Sequence, residues 1–313
     1  MLLVREELRG SATPGNHALS IGVFDGVHCG HRMLVQRMLA EARERGLGSG
    51  IITFHPSPIT VLRPNVEPSY LESLEQRVEL LRDLGVDFVS VVQFTSELAQ
   101  VSFADFARIL SEDAGMRLLV AGEDFALGRA REGSMEQLAE LGRELDFEVV
   151  AVPLLEGSAG AVSSTLVRAA LAAGEMERVA ELLGRPYTLR GPVVHGEGRG
   201  RTIGFPTLNV GVSADRALPP DGVYVTRAVL PDGRVLHACT NIGMQPTFDG
   251  TERRVEAYLL DFEGDLYGEV VCIELLRRLR DEYKFDGVDP LVAQIRKDVE
   301  VTRTYFASDA ALS

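Results

Sequence analysis

The stretch that most constrains this chain's fold is residues 18–45. There Ala18-Leu-Ser-Ile-Gly-Val-Phe24 runs through Asp25-Gly-Val-His28-Cys-Gly-His31 into a segment with Leu34, Val35, Met38, Leu39 and Ala42 apolar. Leu19, Ile21, Val23 and Phe24 predict a short buried strand, Asp25-Gly26 a turn, and the later apolar positions recur at the spacing of one helix face. His28 and His31 stand three apart where loop becomes helix, so both rings can share one side of the first turn, beside unsatisfied backbone N–H groups and the positive end of the helix dipole. That combination suits an anion. Gly26 and Gly30 let a phosphate approach the backbone, and two imidazoles can donate to charge building on a phosphorus centre. The plainer alternative, that the histidines only cap a helix and the glycines only turn the chain, serves for a lone residue of either kind. Their coincidence at one strand-to-helix junction favours the phosphate reading.

Strand and helix patterns then alternate. Strands are expected over Gly50–Phe54, Val86–Phe94, Met116–Ala121 and Phe147–Leu155, with helices opening at Ser73 and Ser102 and another marked by Met135, Leu138 and Leu141. The prolines of His55-Pro-Ser-Pro58 predict a loop. Five strands separated by helices predict an α/β domain with a parallel sheet covered on both faces, its ligands beyond the carboxyl ends of the strands. Two further loops thereby become candidates: Gly122–Gly133, which carries Arg129 and Arg131, and Val162-Ser-Ser-Thr165-Leu-Val-Arg168. N-capping alone accounts for the hydroxyls of the second; Arg168, one turn in, makes it a second phosphate cradle.

A last short helix, Gly174–Leu183, places a domain boundary between residues 185 and 186. From Tyr187 six strands are expected: Tyr187–Val194, Thr207–Val210, Gly222–Leu230, Arg234–Ile242, Arg253–Phe262 and Val270–Leu279. Turns fall at Pro231-Asp-Gly233, Asp249-Gly250 and Glu263-Gly-Asp265, and the spacing predicts a small closed β-barrel. Asp289-Pro290 then caps a final helix with Leu291, Ile295, Val299 and Thr302 along one side, and the tail Ala307–Ser313 is expected to fray. Between the first two barrel strands, three glycines and two arginines within His195–Arg201 make a flexible cationic loop suited to a nucleotide. Thr207 and Asn209 alternate by two, so their oxygens face one way and suit a hard cation, unless they form only a polar surface edge. Glu256, in an otherwise apolar strand, either faces solvent or points at a site where it accepts a hydroxyl proton.

Charge narrows the partners. Lys plus Arg total 32 against 46 Asp plus Glu, a net charge of −14, which argues against nucleic-acid and anionic-membrane surfaces. An acidic chain that handles nucleotides needs local cations, and Mg²⁺ is expected. Cys29, Cys239 and Cys272 are odd in number and widely spaced, so neither a disulfide framework nor a zinc site is indicated. No apolar run approaches the roughly 18 residues of a membrane span, and the N-terminus lacks a signal pattern. A cytoplasmic setting is expected, and the sequence leaves a homo-oligomer open.

Gly22-Val-Phe-Asp-Gly-Val-His-Cys-Gly-His31 resembles the signature of bacterial FAD synthetases, members of the nucleotidyltransferase superfamily with its His-x-Gly-His element. Thr53–Pro58, Gly122–Gly133 and Ser163-Ser-Thr-Leu-Val-Arg168 resemble that family's second motif, flavin-side loop and Ser-Ser-Thr-x-x-Arg element. Ala126-Leu127 stands where many members have Arg-Phe, and His55 and Ser57 where acidic residues or histidine are common. Further on, His195–Asn209, Pro220–Tyr224, Asn241–Phe248, Val255–Phe262 and Gly264–Gly268 are similar to the successive motifs of riboflavin kinase, with Tyr258 where many bacterial members have histidine. The order resembles that of the bifunctional bacterial riboflavin kinase/FMN adenylyltransferase family.

The resemblance implies a Rossmann-like adenylyltransferase domain, 1–185, and a six-stranded riboflavin kinase barrel, 186–313, acting on riboflavin, FMN and ATP with Mg²⁺. It implies catalytic roles for His28 and His31, and ATP contacts from Gly22, Phe24, Asp25, Gly30, Ser164, Thr165 and Arg168. Flavin contacts are implied for Asp124, Phe125, Gly128 and Arg131. In the kinase it implies ATP contacts from His195, Gly196, Gly198, Arg199, Gly200, Arg201 and Thr202, the metal on Thr207 and Asn209, and Glu256 as base. Two rivals stay open: a kinase whose first domain adenylylates another phosphorylated metabolite, and a flavin-binding regulator without turnover.

Overall fold

The computed structural model describes residues 2–157, 160–196, 198–247 and 250–309, and the chain divides into two compact units, Met1–Ser164 and Thr165–Ser313. The elements of the first are α1 (Leu2–Ser11), β1 (His17–Ile21), α2 (Cys29–Arg45), β2 (Gly48–His55), α3 (Pro58–Leu62), α4 (Leu74–Arg82), β3 (Phe88–Gln93), α5 (Phe103–Asp113), β4 (Met116–Gly122), α6 (Met135–Leu145), β5 (Glu148–Val152) and the two-residue strands β6 (Glu156–Gly157) and β7 (Gly160–Ala161). Five strands form a parallel sheet in the order β3-β2-β1-β4-β5. Alternation along β1 explains why both faces are covered. Leu19 and Ile21 join a core cluster with Leu8 of α1 and Phe106, Ile109 and Leu110 of α5, while Ala18 joins Val35, Met38 and Leu39 of α2 and Leu81 of α4 on the other face.

The strand order reverses at β1 and β4, which makes the carboxyl ends of those two strands the switch point where open α/β sheets bind ligands. The loops that follow them, 22–28 and 123–134, are two of those singled out by the sequence.

Two local expectations are corrected, and one helix is added. β1 stops at Ile21, and Val23 and Phe24 belong to the loop because Phe24 takes the left-handed conformation at φ 54°. Pro58 opens α3 where a loop was expected, since proline at the first helical position gives up only an N–H that has no partner there. The N-terminus forms α1, whose Val4 and Leu8 are buried.

The second unit contains α7 (Ser164–Ala173, its first residue being the last of the first unit), α8 (Met176–Leu183), β8 (Tyr187–Val194), α9 (Arg199–Thr202), β9 (Leu208–Val210), β10 (Gly222–Val229), β11 (Val235–Thr247), β12 (Gly250–Leu259), β13 (Val270–Asp281) and α10 (Val288–Asp309). Six strands close a barrel in the order β10-β11-β12-β9-β8-β13. The boundary expected at 185/186 rested on the change from helical to strand pattern. Packing divides the chain earlier, because α8 buries Val179, Leu182 and Leu183 and packs on β8 and β13. Periodicity marks α8 as a helix but not which unit it covers. Thr207 sits just before β9 rather than within it, and Asp249, Phe248, Glu197 and residues 310–313 of the expected turn, motif, loop and tail lie outside the described residues.

Candidate active sites

At the carboxyl end of β1 the chain turns through three left-handed residues, Phe24, Gly26 and Val27, at φ 54°, 89° and 36°. Only for glycine is that conformation without cost. Two buried carboxylates hold the turn. Asp25 Oδ1 accepts from the Leu71 N–H at 3.0 Å, and Glu72 accepts from the Gly26 N–H with both oxygens, at 2.7 and 2.6 Å. The Gly26 N–H is therefore committed inside the protein. His28 is the N-cap of α2, its Nδ1 accepting from the His31 backbone N–H at 3.3 Å. Capping thus accounts for one nitrogen of His28 and, by making Nδ1 the acceptor, leaves the proton of the neutral ring on Nε2.

The two imidazoles stack, with centroids 3.6 Å apart and planes 18° from parallel. Phe24 lies against His31 at 5.1 Å. His31 Nδ1 is buried and finds no partner among the described residues. Burial, then the neighbouring His28 and Arg77, pushes the His31 pKa well below the ordinary value of 6.5. A group whose pKa is depressed on folding binds fewer protons than in the unfolded chain, so its contribution to stability is whole above about pH 6.5 and lost progressively below it. Thermal unfolding followed from pH 7.5 to 5.5 is expected to show the first unit weakening on the acid side, with a shallower slope in His31→Gln.

The chain just before α7 lies against this loop. A Cβ on Gly30 would stand 3.2 Å from the His28 ring and 3.3 Å from the Val162 carbonyl oxygen, and Ser164 Oγ donates to the Asp25 carbonyl at 2.6 Å. His28, His31, Gly30, Asp25 and Ser164 are thus brought together. Thr165, exposed, and Arg168, half-buried, follow in the first turns of α7. Gly22, half-buried, bonds the Ile52 carbonyl.

After β4, the expected flavin loop is shaped by its own residues. Arg131 Nη2 donates to the Asp124 carbonyl at 2.7 Å, and Phe125 packs against the core cluster beneath the sheet. Gly128 has φ 81°, and a Cβ there would fall 2.3 Å from the Phe103 nitrogen, so this glycine lets the loop rest on the start of α5.

The barrel unit encloses a cavity of about 400 Å³ whose wall includes Thr207, Asn209 and Glu256 together with Gly196, Gly198, Arg199, Gly200 and Arg201. Strand register explains the convergence: Glu256 on β12 pairs with Asn209 on β9 and, on its other side, with Asn241 on β11. Asn209 Oδ1 is buried with no partner among the described residues. The glycine loop folds down onto this group. A Cβ on Gly196 would lie 2.2 Å from Asn209 Nδ2, and one on Gly200 would lie 2.3 Å from the Phe205 carbonyl oxygen. Thr202 Oγ1 donates to the Arg199 carbonyl at 2.7 Å, closing α9, and His195 stacks on Tyr267 at 4.1 Å. Gly196→Ala must displace the Asn209 amide; its expected effect is a tenfold or greater loss of the barrel's activity with the fold retained, checked by far-UV circular dichroism beside the assay.

Residues 11–166 match the family model of FAD synthetase and residues 183–306 that of riboflavin kinase. The bifunctional riboflavin kinase/FMN adenylyltransferase of Listeria monocytogenes is 38% identical over 93% of this chain and 93% of its own length. That of Escherichia coli K12 is 36% identical, covering 92% of each. This chain belongs to the bifunctional riboflavin kinase/FMN adenylyltransferase family. A solved structure described as a macrolide-efflux protein from Streptococcus pneumoniae shares the fold, with TM-score 0.87 and 35% identity over 95% of this chain and 96% of that one. No helix among the described residues is long and apolar enough to cross a membrane.

Members of the family are ATP-dependent enzymes, and the donor set fits the metal that ATP carries. Hydroxyl, amide and carboxylate oxygens surround the cavity, one of them an orphaned buried oxygen. Among the described residues no group of three His, Cys, Asp or Glu is placed to hold an ion.

Other parts of the cavity escaped the sequence reading. Asn241 Nδ2 donates to Glu282 Oε1 at 3.4 Å, and Arg280 grips Asp298 at 2.8 Å with its guanidinium over the Tyr283 ring. These partners join β11, β13 and α10 across sequence gaps that periodicity does not bridge. Leu291, Ile295 and Val299 were visible as an apolar stripe; the structure adds that they line the cavity, with Val223 and Cys239. Burial pushes the Cys239 thiol up to about 12, so it lines the wall as a neutral, weakly polar group.

Proposed function

We propose that the barrel transfers the γ-phosphate of ATP to the 5′-hydroxyl of riboflavin, and that the sheet domain, taken as 1–185, transfers the adenylyl group of a second ATP to FMN, releasing pyrophosphate. The observation that carries the first step is Glu256 facing Asn209 across paired strands, in one cavity with Thr207 and a glycine loop. Glu256 accepts the hydroxyl proton as the oxygen attacks phosphorus. His195, Gly196, Gly198, Arg199, Gly200, Arg201 and Thr202 form the loop that wraps the phosphates, while the apolar side of α10 offers the flavin ring a dry wall. Thr207 and Asn209 are the residues to hold Mg²⁺, which when bound neutralises charge on the phosphates of ATP.

In the second step the FMN phosphate is itself the nucleophile, so the protein has to position and stabilise rather than attack. His28 and His31 donate to the α-phosphate as charge gathers on it. Gly22, Phe24, Asp25 and Gly30 shape the loop, Ser164, Thr165 and Arg168 hold the phosphates from the start of α7, and Asp124, Phe125, Gly128 and Arg131 belong to the flavin side. The free cysteines support a reducing, cytoplasmic setting. Incubation with riboflavin, ATP and Mg²⁺, followed by chromatography over time, is expected to show FMN and then FAD. Absence of both products from the folded protein overturns the reading, and FMN without FAD favours another acceptor for the first domain.

A further inference from the structure

Arg77, in the middle of α4, is fully buried, and nothing in the sequence pattern gives it a task. Its guanidinium Nη1 donates to the Val23 carbonyl at 3.1 Å and to the Phe54 carbonyl at 3.3 Å, the first in the loop after β1 and the second near the end of β2. Its Nε lies 3.4 Å from Glu72 Oε1 and its Nη2 3.9 Å from Asp25 Oδ1, and the Tyr70 ring lies 5.6 Å beneath it. These partners are the residues that fix the histidine loop. Val23 presents its carbonyl to Arg77 and to Thr53 Oγ1, the latter at 2.9 Å; Asp25 takes the Leu71 N–H and Glu72 takes the Gly26 N–H.

The loop needs such restraint. Phe24 and Val27 are left-handed, a conformation that is costly for a non-glycine residue and persists only where the surroundings over-determine it. Nη1 alone bonds both carbonyls, and the planar, delocalised charge of the buried guanidinium faces the two carboxylates at 3.4 and 3.9 Å, an arrangement that the compact point charge of an ammonium does not reproduce. The next residues along the chain are His28 and His31.

We infer that Arg77 is a positioning residue of adenylyl transfer: from behind the loop, without touching substrate, it sets where the two histidines stand. Its positive charge also bears on His31, whose pKa it helps to lower; the groups that bear on that ring are His28 beside it and Arg77 behind it, the latter with Asp25 and Glu72 attached. This inference rests on the assignment of FAD formation to the sheet domain, and its test separates the two.

Arg77→Lys and Arg77→Met are compared with the unaltered chain for FAD formation from supplied FMN and ATP, and for FMN formation from riboflavin, each over pH 5.5 to 8.5. Arg77→Lys keeps the charge but not the fork, and the expected result is a roughly tenfold lower kcat for FAD formation with its acid limb unmoved. Arg77→Met is expected to lose about a hundredfold and to shift the acid limb to higher pH, because removing a positive neighbour raises the His31 pKa. FMN formation stays within twofold in both. If Arg77→Met does not fold, Arg77→Lys decides alone. FAD formation within twofold of the unaltered chain in Arg77→Lys overturns the inference, as does an acid limb that stays put in a folded Arg77→Met. An unaltered chain that makes no FAD from FMN overturns instead the assignment on which it rests.

Discussion

Glu256→Gln is expected to lower kcat for FMN formation by about a hundredfold to ten-thousandfold, the range associated with loss of a positioned general base, while FAD formation from supplied FMN stays within twofold. Glutamine keeps the length and planarity of the side chain, so pairing of β12 with β9 and β11 is preserved and the change removes proton affinity alone. The riboflavin 5′-hydroxyl is a poor nucleophile until its proton has somewhere to go, and Glu256 is a carboxylate of the cavity wall paired with Asn209 on the adjoining strand. Steady-state kinetics with separate quantification of FMN and FAD provides the check. A kcat within threefold of the unaltered chain would remove Glu256 from the chemistry and leave it a lining residue. If FAD formation fell in parallel, the two activities would not be divided between sheet and barrel as proposed.

How far the sequence carried this reading differs between the two sites for a physical reason. Glu256 and Asn209 lie on strands where register alone makes them neighbours, with Thr207 one residue before β9, and a pattern of alternating residues states which face each strand residue occupies. Their convergence was therefore nearly visible beforehand, although Asn241 on the adjoining strand was not singled out. The histidine loop was legible as a loop, because glycine and the change from strand to helical period mark it. Its internal support was not. Arg77 meets Asp25 across 52 residues and Glu72 meets Gly26 across 46, and a buried arginine in a helix reads in sequence like any solvent-facing one. Gly26 was misjudged in the same way: the absence of a side chain suggested room for phosphate, whereas its N–H is held by Glu72. α8 shows a third case, since an amphipathic pattern establishes that a face is buried and leaves open which partner covers it.

Removing both imidazoles, in His28→Ala with His31→Ala, is expected to abolish FAD formation and leave riboflavin phosphorylation intact, because the barrel contains none of the altered residues. The stacked rings give the reason for expecting so large an effect. At 3.6 Å separation, two imidazolium charges would repel, and His31 is held neutral by burial and its neighbours, so the pair acts through ring N–H groups rather than as two standing cations. Donors aimed at charge that develops only in the transition state stabilise it more than the ground state, and one such donor contributes about a hundredfold to a thousandfold in kcat. Capping competes with this explanation for His28, whose Nδ1 accepts the His31 N–H, and His28→Asn separates the two. Asparagine is among the best N-caps and restores that acceptor, but it carries no donor where His28 Nε2 stands. FAD formation in His28→Asn is expected to fall by about a hundredfold at unchanged thermal stability. Activity close to that of the unaltered chain would show that the histidine serves only to start α2, and would move the adenylyl-transfer chemistry away from this helix.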